Sequence, residues 1–134
     1  MSFFSVKDNF RDCLFCYDNI QSKIIEEFNS VVALKDTSPV THGHLLIIPK
    51  RHCIDFFHMT LAEQMDANNF LAILSKKLIK QDPLITGFNI GVNNGESAGQ
   101  TIYHCHIHLI PRRDCDTPEP RGGVRGVIPD KMNY

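Results

Sequence analysis

The sequence predicts an α+β domain, an antiparallel sheet of about five strands with one long helix packed on it. Two observations carry that class. Short apolar and β-branched runs, bounded by Pro, Gly, Asn and Asp, recur along the chain. Among them stands one long stretch with helical spacing and its own start signal. The 134 residues suit one domain, 1–134, with a core at about 13–113 and an irregular tail at 114–134.

The elements follow in order. Residues 22–36 hold Ile24, Ile25 and Phe28, then Val31, Val32, Ala33 and Leu34, which read as two strands joined at Asn29-Ser30. Thr37-Ser38-Pro39 is a turn. Residues 44–49 are a nearly continuous apolar run, a buried strand that stops at Pro49. Thr60-Leu61-Ala62-Glu63 is a capping-box signal. Leu61, Met65, Ala67, Leu71, Leu74 and Leu78 then predict the packed stripe of a helix ended by Asp82-Pro83. Residues 88–93 predict a strand, 94–99 a tight loop, and 101–110 a final strand stopped at Pro111. The Pro- and Gly-rich tail carries Arg121 and Arg125 and reads as a basic, solvated end.

Composition narrows the function classes. Fourteen Lys and Arg against fifteen Asp and Glu give a net charge of −1, which excludes a broad basic surface for nucleic acid. The five cysteines are an odd number, so a fully paired disulfide framework is excluded. The start, Met1 to Asp8, has no apolar run behind a basic end, and no stretch approaches the ~18 apolar residues of a membrane span. The expectation is a cytoplasmic protein without a membrane partner, its thiols free, catalytic or metal-bound.

The most informative stretch is Tyr103-His104-Cys105-His106-Ile107-His108-Leu109-Ile110. On a strand, alternate residues share a face, so the three imidazoles stand together and Cys105, Ile107 and Leu109 face the core. A neutral imidazole is a nucleophile or a metal ligand, and a protonated one stabilises an anion. If the middle ring attacks phosphorus, its neighbours can contact the phosphoryl oxygens. Two alternatives compete: a catalytic zinc held by the three rings, and a polar sheet face that happens to be His-rich.

The run Gly99-Gln100-Thr101-Ile102-Tyr103-His104-Cys105-His106-Ile107-His108-Leu109-Ile110-Pro111-Arg112 resembles the signature of the histidine triad (HIT) family. The upstream run from Asp36 through His44 to Pro49 is similar to that family's first strands. The resemblance implies a nucleotidyl hydrolase acting at the α-phosphate of dinucleoside polyphosphates or related adenosine nucleotides. Nucleoside phosphoramidates are the alternative substrates, and a low-turnover nucleotide-binding protein is the alternative class.

By position, the resemblance makes His106 the nucleophile that carries the nucleotidyl group. It gives His108 and Asn93 the phosphate, Thr101 a place near the leaving group, and His44 the fourth active-site histidine. Asp36 becomes the ribose ligand, and Leu34 and Phe15 the apolar residues that hold the base. Gly99 and Gln100, with the loop from Asn94, are expected near the polyphosphate, where backbone N–H groups can form an anion nest. His42 falls outside the match and reads as a solvated neighbour.

Cys13-Leu14-Phe15-Cys16 is a Cys-x-x-Cys knuckle, open to a redox pair, half a zinc site, or chance. A branch of the HIT family holds zinc with such a knuckle, a His after Pro-x-x and the first His of the triad. The resemblance therefore implies a structural zinc on Cys13, Cys16, His52 and His104, and no organic cofactor. It also implies a homodimer. Cys53, Cys105 and Cys115 have no partner by spacing.

Overall fold

A computed structural model describes residues 12–134 of the chain. The stretch Met1 to Asp8, read above for a leader, lies outside the described residues. Five strands form one sheet: β1 (Glu26–Phe28), β2 (Val31–Lys35), β3 (Leu45–Pro49), β4 (Ile85–Val92) and β5 (Ile107–Arg113). Their spatial order is β1-β2-β3-β5-β4, and every neighbouring pair is antiparallel. The β1–β2 turn is tight because Asn29, with φ of 51°, takes the left-handed conformation that Asn tolerates.

One long helix, α1 (Leu61–Gln81), packs on the sheet. Its capping box forms as the sequence predicts, with the Thr60 side chain accepting from Glu63 N–H and Glu63 reaching back to Thr60 N–H. Strand alternation then divides the apolar residues between two faces. Val31, Ala33, Leu45, Ile47, Ile107 and Leu109 meet Ala67, Phe70 and Leu74 of the helix. On the opposite face Val32, Leu34, Leu46 and Ile48 are covered by Ile20, Phe15, Tyr17 and Ile24 of the segment that precedes β1. The sheet is buried on both sides, which is why β2 and β3 read as continuous apolar runs.

Two expectations need correction. The buried stripe of α1 runs through Glu63, Ala67, Phe70 and Leu74, with Leu71 and Leu78 beside it, whereas Leu61 and Met65 are exposed. At ~100° per residue, Leu61 and Met65 lie ~200° around the helix from Glu63. Glu63 turns inward because Arg51 grips both its carboxylate oxygens, at 2.8 and 3.1 Å.

The second correction concerns the last strand, which begins at Ile107 and runs past Pro111 to Arg113. Residues 101–106 lie outside the ladder. The Cys105 N–H donates instead to the Cys53 carbonyl at 2.8 Å. Proline is tolerated at 111 because pairing with β3 ends at Leu45 and Leu109, so no β3 carbonyl waits for its missing N–H. The Pro111 carbonyl accepts from Thr41 Oγ1 at 2.6 Å.

The tail holds two 3-10 turns, Gly123–Val127 and Pro129–Lys131. Arg121 and Arg125 stack on the Tyr134 ring, at 4.6 and 5.1 Å from its centroid. Among the described residues, no helix is long and apolar enough to cross a membrane.

Candidate active site and metal centre

The triad segment crosses the sheet face opposite α1. His108 sits on β5 directly between Leu46 of β3 and Gly91 of β4. His106 and His104 precede the strand, and the three rings serve two different sites. The rings of His106 and His108 stand 5.3 Å apart, whereas His104 faces His52 at 5.1 Å. The three imidazoles therefore do not converge on one metal position.

The first site is a cavity of about 400 Å³. His106, His108, Asn93, Gly99 and Thr101 line one part of it, and Phe15, Leu34 and Asp36 another. Lys23 and Lys35 also line it, two cations for which the sequence offers no motif. The His106 ring is buried, 9% exposed, and Phe15 holds it edge-on at 5.0 Å. Its Nδ1 lies 2.9 Å from the His104 carbonyl oxygen, which only accepts, so Nδ1 carries the proton and Nε2 the lone pair. Burial holds the ring's pKa below the usual histidine value, against the opposing pull of that carbonyl and of Asp36. The result is a neutral imidazole whose unprotonated nitrogen is Nε2.

Asp36, His44 and His108 form a cluster beside it. His44 Nε2 lies 2.9 Å from His108 Nδ1 and 3.4 Å from Asp36 Oδ2. The other Asp36 oxygen accepts from Ser38 N–H at 2.7 Å, which fixes the carboxylate at the start of the turn while it lines the cavity.

Gln100 takes a different place from its neighbours. It is 4% exposed, and its carbonyl oxygen accepts from Gly95 N–H at 2.8 Å while its amide donates to Ile54 and Ile102 carbonyls. It fastens the loop, whose turn passes through Gly95 and Gly99 at φ of 92° and 91°. His42 is exposed, away from the cavity, and its carbonyl accepts from Arg113.

The second site gathers Cys13, Cys16, His52 and His104, whose ligand atoms all lie within 4.8 Å of one another. Three Sγ–Nδ1 distances are 3.4 Å (Cys13 and His104), 3.3 Å (Cys16 and His52) and 3.7 Å (Cys16 and His104). A tetrahedral zinc with ordinary Zn–S and Zn–N bonds sets such edges at about 3.6 Å. The His104 ring is fully buried and places Nε2 2.7 Å from the Pro49 carbonyl, which leaves the Nδ1 lone pair toward the two thiols. The donor set is compatible with zinc. Cys53 and Cys105 are buried and Cys115 is exposed, apart from this cluster.

The comparisons with known proteins agree with this architecture. The family model described as the HIT domain matches residues 18–115. Over 114 residues the chain is 39% identical to adenylylsulfatase HINT3 of Arabidopsis thaliana, covering 78% of this chain and 54% of that protein. The chain thus spans about half the length of that relative. A solved HIT family protein from Bacillus anthracis shares the fold with a TM-score of 0.70 and 35% identity, covering 78% of this chain and 75% of that one. A zinc-bound histidine triad family protein from Mycobacterium smegmatis matches at TM-score 0.64 and 26% identity, covering 83% and 82%.

A sheet with one packed helix and a row of imidazoles over a cavity define the class. The chain belongs to the HIT domain family.

Proposed function

We propose that the chain hydrolyses nucleotides at the α-phosphate through a covalent nucleotidyl-histidine on His106. The observation that carries this reading is the fixed His106 ring, its Nδ1 spent on the His104 carbonyl at 2.9 Å and its Nε2 left as the nucleophile. Nε2 attacks phosphorus, the bond to the leaving group breaks, and the leaving group departs with the electron pair. Water then cleaves the P–N bond, returns the histidine and releases a nucleoside monophosphate.

The other lining residues take the roles their chemistry allows. His108 and Asn93 donate to phosphoryl oxygens, and Thr101 stands near the leaving group. His44 supports His108, and the Asp36 carboxylate, which keeps acceptor lone pairs beyond its contacts with Ser38 and His44, accepts from a ribose hydroxyl. Leu34 and Phe15 form the apolar wall for a purine, and Gly99 with the adjoining loop contributes backbone N–H groups. Gln100 acts by holding that loop. Dinucleoside polyphosphates are the substrates we favour; an adenylyl sulfate, as the name of the plant relative describes, presents the same α-phosphate with another leaving group.

The Cys13, Cys16, His52 and His104 set would hold a structural zinc that pins the N-terminal segment to the sheet. A homodimer fits the edge position of β4 and the exposure of Leu61, Met65, Ile79 and Ile90. Cysteines that stand outside any disulfide among the described residues suit a reducing cytoplasm.

The substrate test is a panel of diadenosine polyphosphates, adenosine phosphoramidates and adenylyl sulfate, with products identified chromatographically. AMP from the polyphosphates at the highest kcat/KM supports the reading. Turnover of phosphoramidates alone would move the chain to that substrate class, and no turnover of any member would leave a binding protein.

A further inference from the structure

We propose that the backbone N–H of Val40 sets the tautomers of His44 and His108, and thereby makes the Asp36–His44–His108 cluster a proton donor and not a second metal site. This deepens the reading above and rests on it for its catalytic meaning. The chain of inference begins at Val40 N, which lies 3.0 Å from His44 Nδ1. A backbone N–H can only donate, so His44 Nδ1 must accept and the ring's proton sits on Nε2. That proton has two acceptors within reach, His108 Nδ1 at 2.9 Å and Asp36 Oδ2 at 3.4 Å. His108 Nδ1 is thus the accepting nitrogen, and the His108 proton is fixed on Nε2, the nitrogen available to a phosphoryl oxygen.

The same lock excludes a metal. The cluster has the composition of a site with two histidines and one carboxylate, and its three ligand atoms lie within 4.8 Å. To bind a cation through Nε2, His44 must move its proton to Nδ1, where it would meet the Val40 N–H head-on. At the other cluster, His104 donates through Nε2 to the Pro49 carbonyl at 2.7 Å and keeps Nδ1 open. Among the described residues the two clusters therefore have second hydrogen bonds of opposite sense, one metal-accepting and one metal-refusing. The groups that face His44 are Asp36 and His108, and neither reverses this assignment because both accept from Nε2.

The test reads the protons directly. Zinc-loaded, 15N-labelled protein without substrate is measured by long-range 1H–15N correlation at pH 7.5, with rings assigned through His44→Asn and His108→Asn. Both rings are expected as neutral Nε2–H tautomers, and the metal content is expected at one zinc per chain under excess zinc. A proton on Nδ1 of either ring, or a second zinc whose binding His44→Asn abolishes, overturns the proposal. Val40→Pro removes the donor; kcat is expected to fall by at least ~10-fold with KM changed less than threefold, as for other tautomer losses at a catalytic histidine. If that variant does not fold, the spectrum of the native chain still decides. Because the spectrum is recorded without substrate, an inactive protein with both Nε2–H tautomers would sink the proposed activity alone.

Discussion

The His104 carbonyl oxygen accepts from His106 Nδ1 at 2.9 Å, while the His104 ring itself turns away to lie 3.4 Å from Cys13 Sγ. One residue thus joins the two sites: its ring belongs to the thiol cluster and its backbone orients the His106 ring. Whatever fixes the His104 ring also fixes the carbonyl that sets the tautomer of His106.

Loss of the metal is therefore expected to loosen the chain at one end of the triad and leave the sheet folded. Cys13→Ser and Cys16→Ser should each lower zinc from one equivalent to nearly none and cost about 2–4 kcal/mol, less than in a small zinc finger. The domain has two apolar clusters of its own, so the sheet is expected to stay folded without a metal on the proposed zinc ligands. Elemental analysis paired with urea melts checks this; variants that lose zinc with unchanged melts would show that the cluster pins nothing.

Acid is expected to destabilise the fold through His108. Burial, then the neighbouring His106 and His44, push its ring down to about 4 from 6.5. Between those values the unfolded chain binds a proton that the folded chain refuses, so stability is full above 6.5 and falls as pH drops toward 4. At fixed zinc loading, native protein should lose more stability between pH 6.5 and 4.5 than His108→Asn. Parallel curves in denaturant titrations would contradict this.

Gln100→Ala should cost about 1–3 kcal/mol, because it strands the partly buried Gly95 N–H and two partly buried carbonyls. The loop it holds carries Gly99 toward Thr101, so KM is expected to rise more than kcat falls. Equilibrium unfolding and steady-state kinetics on the same preparation check both effects. A stable variant with native KM would mean that the loop is held from elsewhere.

The sequence made the elements legible where local chemistry and packing agree. The Thr60 capping box, the Asn29 turn and the apolar runs of β2 and β3 all say locally what the fold requires. It misled where a distant partner decides. Glu63 reads as a polar helix residue until Arg51 draws it inward, and Leu61 and Met65 then have no core to face. Likewise His104 and His106 alternate like strand residues, but the Cys105 N–H donates to the Cys53 carbonyl and the strand starts only at Ile107. The triad and its flanks, the run from Asp36 to His44 and the Cys13–Cys16 knuckle mark candidate site residues, yet nothing in the sequence marks the Val40 N–H, Lys23 or Lys35. A backbone donor leaves no mark on side-chain pattern, and two lysines in a chain of near-neutral charge carry no spacing signal.

The central claim is the nucleotidyl-histidine, and intact mass spectrometry after millisecond acid-free quench tests it most directly. With a diadenosine polyphosphate, native protein should gain one nucleotidyl group, mapped to His106. His106→Asn should bind nucleotide within a few-fold of native, form no adduct, and lose at least ~10⁴-fold in kcat. Turnover by native protein with no adduct at any quench time, or full turnover by His106→Asn, would contradict the account.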